Sequence, residues 1–119
     1  MVKRVSLVVV FDGEKVLLGK KPSGFWLPGG HANENESSLD AAIRELKEET
    51  NLDLFDLKLF YSKLSEDKIT DFYFCKNFSG KARAADDLQE VHWFDINELP
   101  DMRLDGKDLV LKAYKEMCL

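Results

Sequence analysis

Residues 29–52, GGHANENESSLDAAIRELKEETNL, constrain the fold of this chain more than any other stretch. They join a glycine pair to an acidic, amphipathic helix. Leu39, Ala42, Ile43 and Leu46 recur at helical spacing and predict the buried stripe of a helix from about residue 37 or 38 to Thr50. Serine suits the N-cap there, with Glu36 an alternative. Asn51 follows, where a left-handed residue is expected and asparagine is second only to glycine. At about 100° per residue, Glu45, Glu48 and Glu49 share the face opposite the stripe. With Glu36, they are placed to converge near the glycine turn. Arg44 flanks this face, four residues from both Asp40 and Glu48.

The flanking sequence reads mostly as strands. Residues 5–11 are apolar and β-branched, Asp12-Gly13 offers a tight turn, and 15–19 form the antiparallel partner. A polar loop, 20–24, leads to Phe25-Trp26-Leu27, and Pro28 keeps Leu27 extended. Gly29 and Gly30 permit positive φ or close approach of a ligand to the backbone. Residues 54–64 and 69–77 read as two strands joined by a polar turn, 78–88 as a surface loop, and 90–94 as a last strand. One helical turn is expected at 95–99, and a helix at 109–117 with Leu109, Lys112, Ala113 and Met117 partly on one face. The order of strands, helix, strands, helix predicts an α/β fold, a sheet covered by helices on both sides. A length of 119 residues predicts one domain over 1–119.

Apolar residues make up 45% of the chain, which argues against disorder. The net charge of -5 argues against a long nucleic acid as partner. It leaves room for a small polyanion, because a divalent cation can bridge an acidic cleft to phosphates. Cys75 and Cys118 are too far apart in sequence to suggest a metal motif and read as reduced thiols. The basic start MVKRVSLVVVFDG lacks a cleavage-like site, and no run approaches the ~20 apolar residues of a membrane span. The expectation is a soluble, cytoplasmic protein, monomer or homodimer.

Carboxylates three and four residues apart on one helix lie side by side. Mg²⁺ is commonly held by a few such carboxylates together with substrate phosphates, and bound cations would relieve the repulsion between them. Counted from Gly30, the segment reads G-x5-E-x7-R-E-L-x-E-E-x-N-L. It closely resembles the Nudix box, G-x5-E-x7-R-E-U-x-E-E-x-G-U with U a bulky aliphatic residue. Gly30, Glu36, Arg44, Glu45, Leu46, Glu48, Glu49 and Leu52 match, and Asn51 replaces a glycine. FWLPGG before the box, and Glu90, Trp93 and Phe94 after it, extend the resemblance over nearly the whole chain.

The resemblance implies the Nudix fold, an α/β/α sandwich with a mixed sheet and a loop-helix-loop box. It implies hydrolysis of a pyrophosphate bond in a nucleoside diphosphate linked to another group X, with Mg²⁺ or a substituting Mn²⁺ activating water. By resemblance, Glu48, Glu49 and the carbonyl of Gly29 are metal ligands, and Glu45 is a further ligand or orients the water. Glu36 braces the loop against Arg44, and Gly30 and Asn51 shape the backbone. A further glutamate often completes such sites; Glu90 is the expected one, with Asp86 and Asp87 as rivals.

Base recognition is left to Phe25, Trp26, Phe60, Tyr61, Phe72, Tyr73 and Phe74, with Phe72 and Phe74 on one face of a strand and Tyr73 on the other. Lys20, Lys21, Lys76 and His31 are possible phosphate contacts. ADP-ribose hydrolases of the family often carry a proline shortly after the box, where Ser65-Glu66-Asp67-Lys68 stands here. The small size favours a MutT-like enzyme that cuts a nucleoside triphosphate into monophosphate and pyrophosphate. Alternatives are hydrolysis of ADP-ribose, a nucleotide sugar or a dinucleoside polyphosphate, and a silent nucleotide-binding domain.

Overall fold

A computed structural model describes residues 2–86, 88–103 and 105–119. Its centre is β1 (Lys3–Asp12), whose run Val8, Val9, Val10, Phe11 is wholly shielded from solvent. A strand apolar on both faces needs cover on both. β1 has three partners within the sheet. β7 (Lys68–Cys75) lies parallel to it, from Lys3↔Lys68 to Val10↔Cys75. β4 (Gly29–His31) pairs antiparallel with its first half, and β2 (Lys15–Lys21) with its last residues. β3 (Gly24–Trp26) and β9 (Glu90–Asp95) flank β2, and β6 (Lys58–Ser65) is the outer strand beyond β7. β5 (Asp53–Phe55) and β8 (Asn77–Ser79) form a separate small ribbon.

Each face of the sheet is closed by a helix. α1 (Ser38–Thr50) buries Ala42 and Leu46 against Val8, Val10, Leu17, Tyr73 and Cys75. α2 (Gly106–Met117) buries Leu109, Val110 and Ala113 against Val9, Phe11, Val16 and Phe74. The result is the expected α/β/α sandwich. Phe72 and Phe74 enter one core and Tyr73 the other, as strand alternation requires.

Several expectations are corrected. The run 54–64 is not one strand: Asp56 adopts φ 56° and turns the chain between β5 and β6. The run 69–77 breaks at Lys76, and the expected loop 78–88 begins inside β8. Residues 95–99 form a turn rather than a helical turn, closed by a hydrogen bond from the Glu98 N–H to the Asp95 carbonyl at 2.9 Å. In α1 the buried set is Ala41, Ala42, Leu46, Glu49 and Thr50, while Leu39 is 42% exposed. The helix is rotated toward β4, so part of its carboxylate face points inward. In α2, Lys112 is exposed and Val110 takes the buried place.

Candidate active site

The box helix is fixed at both ends. Ser37 is the N-cap, and its Oγ accepts the Asp40 N–H at 3.0 Å. The Ser6 hydroxyl donates to the Ser38 carbonyl at 2.8 Å, and the Tyr73 hydroxyl lies 2.9 Å from Ser38 Oγ. Asn51 takes the left-handed C-cap with φ 68°, and its side-chain amide donates to the Lys81 carbonyl at 3.1 Å. The following loop is stitched to the last turn: the Arg83 N–H donates to the Thr50 carbonyl and the Ala85 N–H to the Glu49 carbonyl. That stitching brings Asp86 beside the helix.

Arg44 organises the carboxylates. Its guanidinium grips Glu36 bidentately, Nε to Oε2 at 2.8 Å and Nη2 to Oε1 at 3.0 Å. Nη1 donates to both Glu45 and Glu48 at 3.0 Å, and Nη2 also reaches the His31 carbonyl at 2.9 Å. The bond from Arg44, reinforced by the Asn33 N–H, holds the Glu36 carboxyl down to about 2. Glu36 in turn raises the proton affinity of Arg44, so the guanidinium is a permanent cation.

Glu49 is 2% exposed, and its Oε1 accepts the Gly29 N–H at 2.8 Å. Its other oxygen lies 3.8 Å from Lys21 Nζ. Gly29 itself has φ +143°, and a Cβ there would run into the Ser6 carbonyl and the Leu7 backbone. At Gly30 a Cβ would meet Glu45 Oε2 at 2.5 Å, so only glycine leaves that carboxylate its place. Burial pushes the Glu45 carboxyl above its ordinary value; the Arg44 contacts oppose this, and the charges of Glu48 and Asp86 add to it.

Glu45 and Glu49 open onto a cleft of about 690 Å³ lined by Gly29, Gly30, His31 and Asp86 at their end and by Tyr61, Lys63, Lys68 and Phe72 at the other, whereas Glu36, Arg44 and Glu48 are not in its lining. Trp26 and Arg103 line it as well, with the Arg103 guanidinium 5.5 Å from the indole centre. The family model of the NUDIX domain matches residues 1–114. The chain belongs to the NUDIX family. Membership places it among hydrolases of nucleoside diphosphates linked to another moiety. The chain is 30% identical over 113 residues to the ADP-ribose pyrophosphatase of Methanocaldococcus jannaschii, covering 86% of this chain and 67% of that protein. It is 27% identical over 117 residues to the uncharacterized Nudix hydrolase YvcI of Bacillus subtilis, covering 89% of this chain and 74% of that one. The MutT NUDIX hydrolase of Burkholderia pseudomallei shares the fold with a TM-score of 0.82 at 21% identity, over 95% of this chain and 98% of the other.

Within the NUDIX box, Glu36, Arg44, Glu45 and Glu48 form one network, and Glu49 joins Gly29 beneath it. Glu90 stands elsewhere. It pairs across the sheet with Lys20, its carboxylate lies 2.7 Å from His92 Nε2 and 3.7 Å from Lys20 Nζ, and it does not line the cleft. Asp86 lines the cleft in its stead; Asp87 lies outside the described residues. Lys20 and Phe25 are also absent from the lining. Adjacent residues of a strand face opposite ways, so Lys21 enters the cleft and Lys20 packs over the Phe25 ring at 5.8 Å. Phe72 lines the cleft, whereas Phe74 is buried beside Phe60 with ring centres 6.1 Å apart.

Lys63, Lys68, Thr70 and Arg103 were not singled out from the sequence. Alternation along 61–65 and 68–72 could have found the first three once the hairpin register was fixed. Among the described residues, no three acidic, histidine or cysteine groups stand close enough to enclose a metal ion. Arg44 holds Glu45 and Glu48, and Glu49 accepts the Gly29 N–H.

Proposed function

We propose that the protein hydrolyses nucleoside triphosphates to the monophosphate and pyrophosphate, with Mg²⁺ as cofactor and Mn²⁺ able to replace it. The observation that carries this reading is the buried Glu49 bonded to Gly29, in one cleft with Glu45. The donors suit a hard divalent ion, because they are carboxylate and backbone oxygens rather than thiolates or imidazoles. Glu48, Glu49 and the Gly29 carbonyl would hold it, with Glu45 or Asp86 adding an oxygen. The ion would neutralise phosphate charge and make water more acidic.

The chain's own groups account for the rest. Water adds its oxygen to one of the two phosphorus atoms of the α–β bridge, that atom's bond to the bridging oxygen breaks, and monophosphate and pyrophosphate separate. Glu45, with its raised proton affinity, suits the role of proton acceptor. Arg44 keeps Glu45 and Glu48 in place and acts as a positioning residue. Lys21, at the cleft wall, suits a phosphate oxygen. Tyr61, Trp26 and Phe72 offer apolar surface to a base. The described helices include none long and apolar enough to cross a membrane, in keeping with a cytoplasmic nucleotide as substrate.

Hydrolysis of ADP-ribose is the second reading, favoured by the 30% identity to the pyrophosphatase of M. jannaschii. A panel of canonical and oxidised nucleoside triphosphates, ADP-ribose, sugar nucleotides and dinucleoside polyphosphates decides between them. Turnover should need Mg²⁺ or Mn²⁺ and vanish in Glu49→Gln. Products separated by chromatography identify the substrate. Folded protein that binds nucleotide but turns over nothing would mean a silent binding domain.

A further inference from the structure

The register of the sheet fixes how the far end of the cleft relates to the box. Three cross-strand pairs of the β6–β7 hairpin, Tyr61↔Phe72, Lys63↔Thr70 and Ser65↔Lys68, face the cleft together. Directly paired residues project from the same side of a sheet. The opposite face carries Ser62 and Asp71, bonded to each other at 2.6 Å, so the two faces are cleanly sorted. The same rows continue into β1 and β4: Phe72 to Leu7 to Gly29, and Thr70 to Val5 to His31. At about 4.8 Å per strand and 3.3 Å per residue, the backbones of Lys63 and Lys68 lie roughly 16 Å from Gly29. Both stems can reach back toward the middle of the cleft.

Lys63 and Lys68 are diagonal neighbours, about 7–8 Å apart at the backbone. Lys3 of β1 is the register partner of Lys68, although it does not line the cleft. Among the described residues none of these lysines has a carboxylate within ion-pair distance. Among the described residues, the acidic residues lining the cleft beyond the box are Asp86, beside Glu45, and Asp105. Ser65 and Thr70 supply hydroxyls between the lysines. Two ammonium groups on diagonal positions of one sheet face repel each other, and an anion placed between them removes that repulsion.

We propose that Lys63 and Lys68, with Ser65 and Thr70, form a second phosphate subsite, which selects substrates carrying a phosphate apart from the pyrophosphate that is cut. The proposal rests on the reading of the box as a pyrophosphate-cleaving site. It narrows the substrate class to nucleotides with an additional phosphate, on the nucleoside or at the outer end of X.

Matched ligand pairs test it by calorimetric titration in the presence of Mg²⁺. NADPH against NADH, and 2′-phospho-ADP-ribose against ADP-ribose, carry the extra phosphate on the nucleoside. Adenosine tetraphosphate against ATP carries it on X. The wild type should bind the phosphorylated member of at least one pair about tenfold or more tightly, and the pair that responds names the source. In Lys63→Gln/Lys68→Gln the ratio should fall to near one. In Lys58→Gln/Lys112→Gln, the same charge change at exposed positions outside the cleft, it should persist. Equal affinity within every pair, binding of neither member, or a ratio unchanged in the cleft variant overturns the subsite. Turnover of any unphosphorylated member tests the pyrophosphatase reading separately, so failure of one leaves the other standing.

Discussion

Gly30 and Gly29 have different jobs although they are neighbours. At Gly30 the three atoms nearest to an added methyl group all belong to the Glu45 carboxylate, the end of a side chain rather than backbone, so Gly30→Ala should fold and melt close to the wild type. It should displace Glu45 and lower kcat by about 100-fold, since a shift near 1 Å costs that much in a positioned site. Gly29→Ala meets backbone on two sides at a positive φ and should fail to fold, seen as loss of the melting transition. Arg44→Lys keeps the charge but loses the fork that serves Glu36, Glu45 and Glu48 at once. Its kcat should fall by about 10- to 100-fold with a smaller change in KM, measured by steady-state kinetics.

At the scale of the element, the box helix shows how a cap replaces a glycine. Asn51 sits at φ 68°, where Asn51→Gly should change stability by less than about 1 kcal/mol and Asn51→Ala should cost about 1 kcal/mol. Denaturant melts separate the two. The limits of this helix were legible because serine, the apolar spacing and Asn51 each act locally. Its rotation was not. Glu49 reads as a solvated glutamate from the helix alone, whereas in the fold its burial is compensated by the Gly29 N–H, brought by a separate strand, and by Lys21 nearby. The same limit explains the strands. Alternation sorted Phe72 from Tyr73, but nothing in 54–64 signals that Asp56 will take a left-handed turn. Glu90 was favoured over Asp86 for its place beside Trp93 in a family pattern. The hydrogen bonds that carry the 83–85 backbone back to α1 bring Asp86, and not Glu90, to the cleft lining, and they join residues more than 30 positions apart.

For the whole molecule, acid should act through two carboxyls. Glu36 falls from 4.5 to about 2, and Asp71 is also lowered: burial alone would raise it, but bonds from Ser38, Ser62 and Arg4 outweigh that. Groups depressed in the folded state stabilise it fully above their unfolded values and lose that contribution as pH falls through the folded ones. The melting temperature should therefore drop between about pH 4.5 and 2, and Glu36→Gln should flatten part of that drop. β6 is the outer strand, with Leu64 73% exposed, yet a register shift between Leu59 and Tyr61 and the lysines at 58 and 63 interrupt it as a template for a second chain.

The parallel contact of β1 with β7 also dictates an order of events. Made before its longest neighbour, β1 finds that neighbour complete only after residue 75 has been made, some 65 positions later. β2 holds just two residues of β1 in the meantime, and β4 three. Closing so large a loop before any reward slows folding. The apolar Val5-to-Phe11 run therefore lacks its main sheet partner until β7 has been made. Its protection from aggregation during that interval is a kinetic demand that this architecture places on the cell.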